Sequence, residues 1–364
     1  MNKIDARDYR LDLLKAIAIS LVLFWHLKPL GLTASSAPAA GLGSILNLVP
    51  IALGIFYYQV TLIGVPVFII VSLYLFYGKI DKDNYFRNRI LRITQIFIFW
   101  TAIQFGIYFL LKFLVSAGDI KDPHNLFPQI NFDAIIMGGP DLPVVGGSVL
   151  YFLFDLIFLY ILAYGYHRLN ARIRKPLGWV VIVLSAMYFQ FCIFGGTSVA
   201  FWNIENFLVY IPIAHFLRFS GRFSKLKKFY LLGFIIFGIE ESKIALKMGS
   251  LGNAPYDRIS IVFGAIALVS FVFESSRLAT QRKKHAVISL VSMYSLGIYA
   301  THKYWFLLLR LFAGLYYKVF PRQDVLLFNL DLHMARLIIA TAAVLLTLLS
   351  AYLLGKTPLK RFVS

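Results

Sequence analysis

LIIATAAVLLTLLSAYLL, residues 337–354, is eighteen residues long and holds no charged side chain. A hydrocarbon core about 30 Å thick is crossed by roughly twenty predominantly apolar residues rising about 1.5 Å each, so this stretch has the length of a membrane-spanning helix. ISIVFGAIALVSFVF, residues 259–273, has the same character. In lipid the backbone must satisfy its own hydrogen bonds, which leaves only helices and closed barrels. Barrel strands alternate apolar and polar residues over short segments. These unbroken runs do not, and helix is the reading.

The rest of the chain agrees. Of its 364 residues, 59% are hydrophobic and 15% charged, against roughly half and a quarter in soluble domains. A window of about 19 residues gives further spans at Leu11 to Leu30, Val60 to Gly78, Ile93 to Val115, Val149 to Tyr166, Gly178 to Phe194, Asn206 to Phe219, Phe229 to Leu246 and Leu296 to Leu315. With the two runs above, the expectation is an all-α polytopic bundle of about ten transmembrane helices. No repeat or low-complexity linker divides it, so residues 1–364 read as a single membrane domain. The first run follows a charged stretch and ends at Lys28 and Pro29 without a small-residue cleavage site, so it reads as a retained helix rather than a signal peptide.

A net charge of +19 raises nucleic acid as a partner until the positions of the charges are considered. They form short clusters between apolar runs, so no nucleic-acid partner is expected. Lys79 to Arg92 follow the second span, Arg168 to Lys175 the fourth, Arg218 to Lys228 the sixth, Arg277 to Lys284 the eighth, and Lys356 to Arg361 the last. The intervening connections are poor in Lys and Arg, with none between Lys28 and Lys79. The positive-inside rule then places both termini in the cytoplasm, as for a multi-pass protein of a bacterial inner membrane. Ile45 to Gln59 would break this alternation if it crossed, and is expected on the outer surface. The lone Cys192 excludes a disulfide.

Ionisable residues inside spans are costly and mark function by default. The first span holds Lys15 and His26. Eleven residues at about 100° each return to within about 20° of the starting direction, so both side chains share one face, separated by roughly 16 Å of rise. A cation near the inner boundary and an imidazole further along suit an anionic ligand and a proton transfer. The plainer alternatives are Lys15 snorkelling to headgroups and His26 hydrogen-bonding a neighbouring helix. His302, Asp155, His215, Glu240 and Glu241 also lie in or beside spans; the two glutamates have Lys243 and Lys247 within reach as structural partners. Arg89 and Arg92 are three residues apart, on a face continuing into the third span, and two guanidinium forks there could clamp a nucleotide phosphate as well as mark topology. The seven His residues have no ligand spacing and there is no Cys pair, so no metal is expected. Walker-type glycine loops and GxSxG elbows are absent from the sequence.

Several segments, in order, resemble the membrane-bound acyltransferase 3 family. Leu11-Asp12-Leu13-Leu14-Lys15, followed after ten residues by His26, is similar to the family's LDxxR and His of the first helix. Gly64 to Ser72 (GVPVFIIVS) is similar to its VPxFFxxSG, and Tyr85 to Ile93 (YFRNRILRI) to its FxxRxxRI. Tyr151-Phe152 falls where an aromatic pair is usual, and Ser295 to His302 (SLGIYATH) matches SxGIYxxH. The departures are Lys15 for the family's Arg, Leu73 for the Gly after Ser72, and Gln95 and Lys303 where Pro is usual. Lys15 keeps the charge but loses the bidentate fork.

The resemblance implies an integral-membrane O-acyltransferase. Its co-substrate would be an acyl-CoA, acetyl-CoA by expectation, and its acceptor a hydroxyl of a cell-surface or lipid-linked carbohydrate. Lys15, Arg89, Arg92 and Ser72 are the implied co-substrate-binding residues. His26 is the first choice as general base or acyl carrier, His302 the second, with Lys15 beside them as a catalytic cation. Two other classes remain open at this point: a transporter or flippase for a sugar or lipid intermediate, and a non-catalytic homologue.

Overall fold

The computed structural model describes residues 8–27, 56–57, 59–117, 148–195, 199–248, 256–275, 278, 285–319 and 332–364. Among these, the regular elements are helices. They are α1 (Tyr9–Leu27), α2 (Gly64–Tyr77), α3 (Tyr85–Ala117), α4 (Tyr151–Arg168), α5 (Ala171–Phe194), α6 (Tyr210–Phe219), α7 (Lys227–Met248), α8 (Ile259–Glu274), α9 (Ala286–Met293), α10 (Ser295–Val319) and α11 (Leu332–Leu354). A single helical turn, Gly221–Ser224, joins α6 to α7, and a 3₁₀ turn, Pro358–Phe362, follows α11.

A helix lies over each apolar run expected to span. Among the described residues, Gln59–Tyr77, Tyr85–Ile107, Ala171–Phe194 and Leu337–Leu354 are long and apolar enough to cross a bilayer, and Ile259–Glu274 is a shorter apolar helix. Of the stretch Ile45 to Gln59, only residues 56–57 and Gln59 are described, and Gln59 already belongs to the helix of the second span. The remainder of that expectation lies outside the described residues.

Burial identifies the solvent. Only 17% of the apolar window of α5 is buried, against 78% for the helix ending at Tyr77. Trp179, Val183, Leu184, Met187 and Phe191 of α5 all stand exposed. A helix that is apolar all round belongs either in a protein core or in lipid. α2 is the first case and α5 the second, as a membrane protein requires.

By contacts the chain forms two compact units. The first comprises Met1–His26, Leu32–Phe86 and Phe158–Ser295; the second comprises Leu27–Gly31, Arg87–Ile157 and Leu296–Ser364. In the first, α2 is packed by α6 and α8, and α7 lies along α8. Phe76 of α2 meets Tyr160 at 4.7 Å between ring centroids, and Tyr77 donates to the carbonyl of Ile211 at 3.2 Å.

In the second unit the 3₁₀ turn and the residues after it form a plug. Trp100, almost wholly buried, donates its indole N–H to the Phe362 carbonyl at 3.0 Å, and the rings of Phe99 and Phe362 stack at 4.1 Å. A stacked pair of this kind contributes about 0.5–1.5 kcal/mol beyond its area.

Candidate functional site

α1 is unbroken from Tyr9 to Leu27, so the eleven-residue spacing keeps Lys15 and His26 on one face. Between them on that face lie Ile19 and Val22, both buried. The stripe carrying the cation and the imidazole is therefore a packed face of α1. Lys15 and His26 themselves are half-buried.

Three contacts fix this helix within the first unit. Ser292 Oγ donates to the buried Asp12 Oδ1 at 2.9 Å, tying α1 to α9. Arg10 Nη1 donates to the Phe273 carbonyl at 2.9 Å, at the end of α8, while its other nitrogens hold Asp8. Burial raises the Asp8 carboxyl, but the hydrogen bonds and charge of Arg10 outweigh it and leave the group below its ordinary value. The third contact is with α2: a Cβ on Gly64 would stand 2.8 Å from the Ala18 carbonyl oxygen and 3.1 Å from Leu21 Cβ. Such approach of two helix backbones admits no side chain. Ser72 is half-buried two turns further along α2.

The second unit holds the arginines and the other histidine. α3 begins at Tyr85 after a turn in which Asn84 takes the left-handed conformation, φ 56°, one that Asn tolerates better than most residues. The same helix carries Arg89, half-buried, and Arg92, exposed, into the third apolar run. Arg92 Nη2 donates to the main-chain oxygen of Ser364 at 2.7 Å. The first turn of α10 meets the same segment: Gly297 N–H donates to Val363 O at 3.1 Å, and a Cβ on Gly297 would come within 2.8 Å of Val363 Cβ. The FxxRxxRI-like and SxGIYxxH-like segments thus both grip the chain from Phe362 to Ser364. Lys360 and Arg361 stand exposed beside it.

His302 is fully buried on α10, with Nδ1 2.6 Å from the Tyr299 carbonyl oxygen. A carbonyl can only accept, so Nδ1 carries the proton and, in the neutral ring, Nε2 carries the lone pair. That is the tautomer of a general base with its other nitrogen oriented by a fixed partner. Tyr299 in turn packs on Phe152 at 5.3 Å, which brings the aromatic pair and the late histidine segment together. Within the turn after His302, Tyr304 donates to the buried Gln104 of α3 at 3.1 Å, and Trp305 donates to Ser350 of α11 at 3.0 Å. The first three turns of α10 are thereby held in register with their neighbours.

Lys15, His26 and Ser72 belong to the first unit, and Arg89, Arg92 and His302 to the second. Other polar groups emerge only in three dimensions. Gln59 donates to Gly238 O at 3.3 Å and to Ser242 Oγ at 3.1 Å, and accepts from Ser260 Oγ at 3.0 Å. Ser260 also binds Glu241 through both its hydroxyl and its N–H, the latter at 3.1 Å. Glu241 is thereby tied across to α8. Asp257 accepts from Val199 N–H at 3.0 Å; burial pushes its carboxyl above the ordinary range, against the pull of that bond and of Arg258. Buried polar residues next to apolar runs are the only signal of this network in the sequence, and they do not name their partners.

No curated protein and no solved structure matches this chain. The profile of the acyltransferase 3 family, described as an acyltransferase domain, matches residues 8–356. That span includes α1 with Lys15 and His26, the arginine-bearing α3, and α10 with His302. The match covers nearly the whole chain, and this protein belongs to the acyltransferase 3 family of membrane acyltransferases.

Proposed function

We propose that this chain moves an acetyl group from acetyl-CoA to a hydroxyl of a cell-surface or lipid-linked carbohydrate. The observation that carries the reading is the buried His302, with Nδ1 tied to Tyr299, in a chain of this family. Nε2 takes the proton of the acceptor hydroxyl as that oxygen attacks the thioester carbonyl carbon. The tetrahedral intermediate then expels the CoA sulfur. The C–S bond breaks, the proton passes from the imidazolium to the thiolate, and the products are an acetyl ester and free CoA. A buried setting excludes the water that would otherwise hydrolyse the thioester.

Arg89 and Arg92 are the residues suited to the CoA phosphates, because guanidinium forks match phosphate oxygens. Lys15 supplies a further cation, Ser72 a hydroxyl, and His26 is the rival base. The clusters of Lys and Arg support ten crossings with both termini in the cytoplasm of a bacterial cell, where acetyl-CoA is made. Residues 1–364 then act as one transferase domain.

Purified full-length protein given acetyl-CoA should release free thiol, and surface glycans with and without the gene should differ by acetyl-sized masses. Unaltered glycans together with uptake of a substrate left covalently unchanged would replace this reading with transport.

A further inference from the structure

Helices α5, α6, α7 and α8 of the first unit, with the turn Gly221–Ser224, leave a pocket of about 220 Å³ between them. Its walls include Trp179, Ala186 and Phe189 of α5, Phe223, Tyr230 of α7 and Phe263 of α8. The hydroxyl of Tyr230 is already donated to the Phe223 carbonyl at 3.0 Å, so the wall offers hydrocarbon and aromatic carbon. An apolar cavity of about 150 Å³ stays dry and takes up benzene; this one is larger. Along α5 it runs from Trp179 to Phe189, about 15 Å at helical rise.

The pocket is open on one side. Trp179, Leu226 and Phe229, all in its wall, are 47%, 52% and 61% exposed. They stand beside the exposed Val183, Leu184 and Met187 of α5 and Leu232, Ile235 and Ile236 of α7. An opening framed by such residues faces lipid chains.

One end is basic. Lining residues Leu226 and Phe229 alternate with Lys225, Lys227 and Lys228. Lys227 is committed to Glu274 at 2.9 Å. Lys225 and Lys228 are exposed and make no ion pair among the described residues. A hydrocarbon slot whose lining residues Leu226 and Phe229 have two exposed lysines as chain neighbours is complementary to an anionic headgroup above an acyl chain. We propose that this groove binds one acyl chain of an anionic glycerophospholipid from the leaflet at its basic end, with the lipid phosphate between Lys225 and Lys228. The site is independent of the acyl-transfer reading.

Native mass spectrometry of the full chain with phosphatidylglycerol or phosphatidylcholine of equal chain length tests it. One phosphatidylglycerol should be retained with roughly tenfold preference. Ala186→Phe, which fills the groove, should reduce retention of both lipids about tenfold, whereas Leu349→Phe on the exposed face of α11 should change neither. Lys225→Gln with Lys228→Gln should abolish the preference and leave phosphatidylcholine binding as it was; these surface changes keep the test available if the Phe variant does not fold. Equal retention of the two lipids by the wild type, a preference that survives loss of both lysines, or displacement of phosphatidylglycerol by oleoyl-CoA would each overturn the assignment.

Discussion

His302 Nδ1 lies 2.6 Å from the carbonyl oxygen of Tyr299, one turn back along α10. The bond orients the ring from within its own helix and leaves Nε2 as the basic nitrogen. Removing a positioned base costs about 10²–10⁴ in rate. His302→Gln should therefore lower kcat of acetyl transfer into that range while leaving KM for acetyl-CoA near the wild-type value. His26→Gln should be milder. Thiol release by the two purified variants decides between them, and the reverse ranking would move the base to α1.

Arg89 and Arg92 share α3, and Arg92 donates to the main-chain oxygen of Ser364. If both hold CoA phosphates through bidentate forks, Lys cannot replace them. Arg89→Lys and Arg92→Lys should each raise KM for acetyl-CoA about tenfold with kcat little altered, the signature of lost uniform binding. Arg92→Ala should in addition lower the thermal midpoint, because it releases the segment after Phe362. Steady-state kinetics and thermal unfolding of the same preparations separate binding from folding.

The helices were legible because an apolar run has a length and a membrane has a thickness. The shared face of Lys15 and His26 was legible because helical periodicity needs no partner. What decides the site needs partners. Ser292 and Asp12 are 280 residues apart, and either one alone is an ordinary polar residue beside an apolar run. The three residues after the 3₁₀ turn's Arg361 look like a tail until Trp100 and Gly297 are found against them. The preferred nitrogen of His302 depends on a rotamer, which spacing does not encode. Residues that act by where they stand could be nominated from sequence, but not those that act by what holds them.

Gly64 is a glycine for packing. With Ala18 O 2.8 Å from the place of its Cβ, any larger residue must push α2 away from the packed stripe of α1. Overpacking of this kind costs about 1–3 kcal/mol. Gly64→Val should lower the thermal midpoint and, by displacing the face that carries Lys15, reduce transfer further than the loss of folded protein explains. Activity normalised to the folded fraction is the relevant measurement. A variant as stable as the wild type would show that the two helices are not in backbone contact.

The connection after α2 and the end of α4 contain a pH-sensitive contact. His167 Nε2 is 3.5 Å from Asp81 Oδ1, beyond the apolar part of its helix, with Arg174, Arg168 and the ring of His215 also near. Burial pulls the His167 imidazole below its ordinary value of about 6.5; Arg174 and Arg168 act in the same direction, and Asp81 only partly opposes them. The folded state therefore binds this proton less readily than the unfolded state. Its contribution to stability is complete above the unfolded value and is lost as pH falls from there through the lower folded value. Between pH 8 and pH 5 the thermal midpoint should drop less in His167→Gln than in the wild type. Asp81→Asn removes the one upward pull, so the midpoint should drop more. Opposite responses of the two variants would identify this pair as the titrating contact, whereas identical pH profiles for both would place the sensitivity elsewhere.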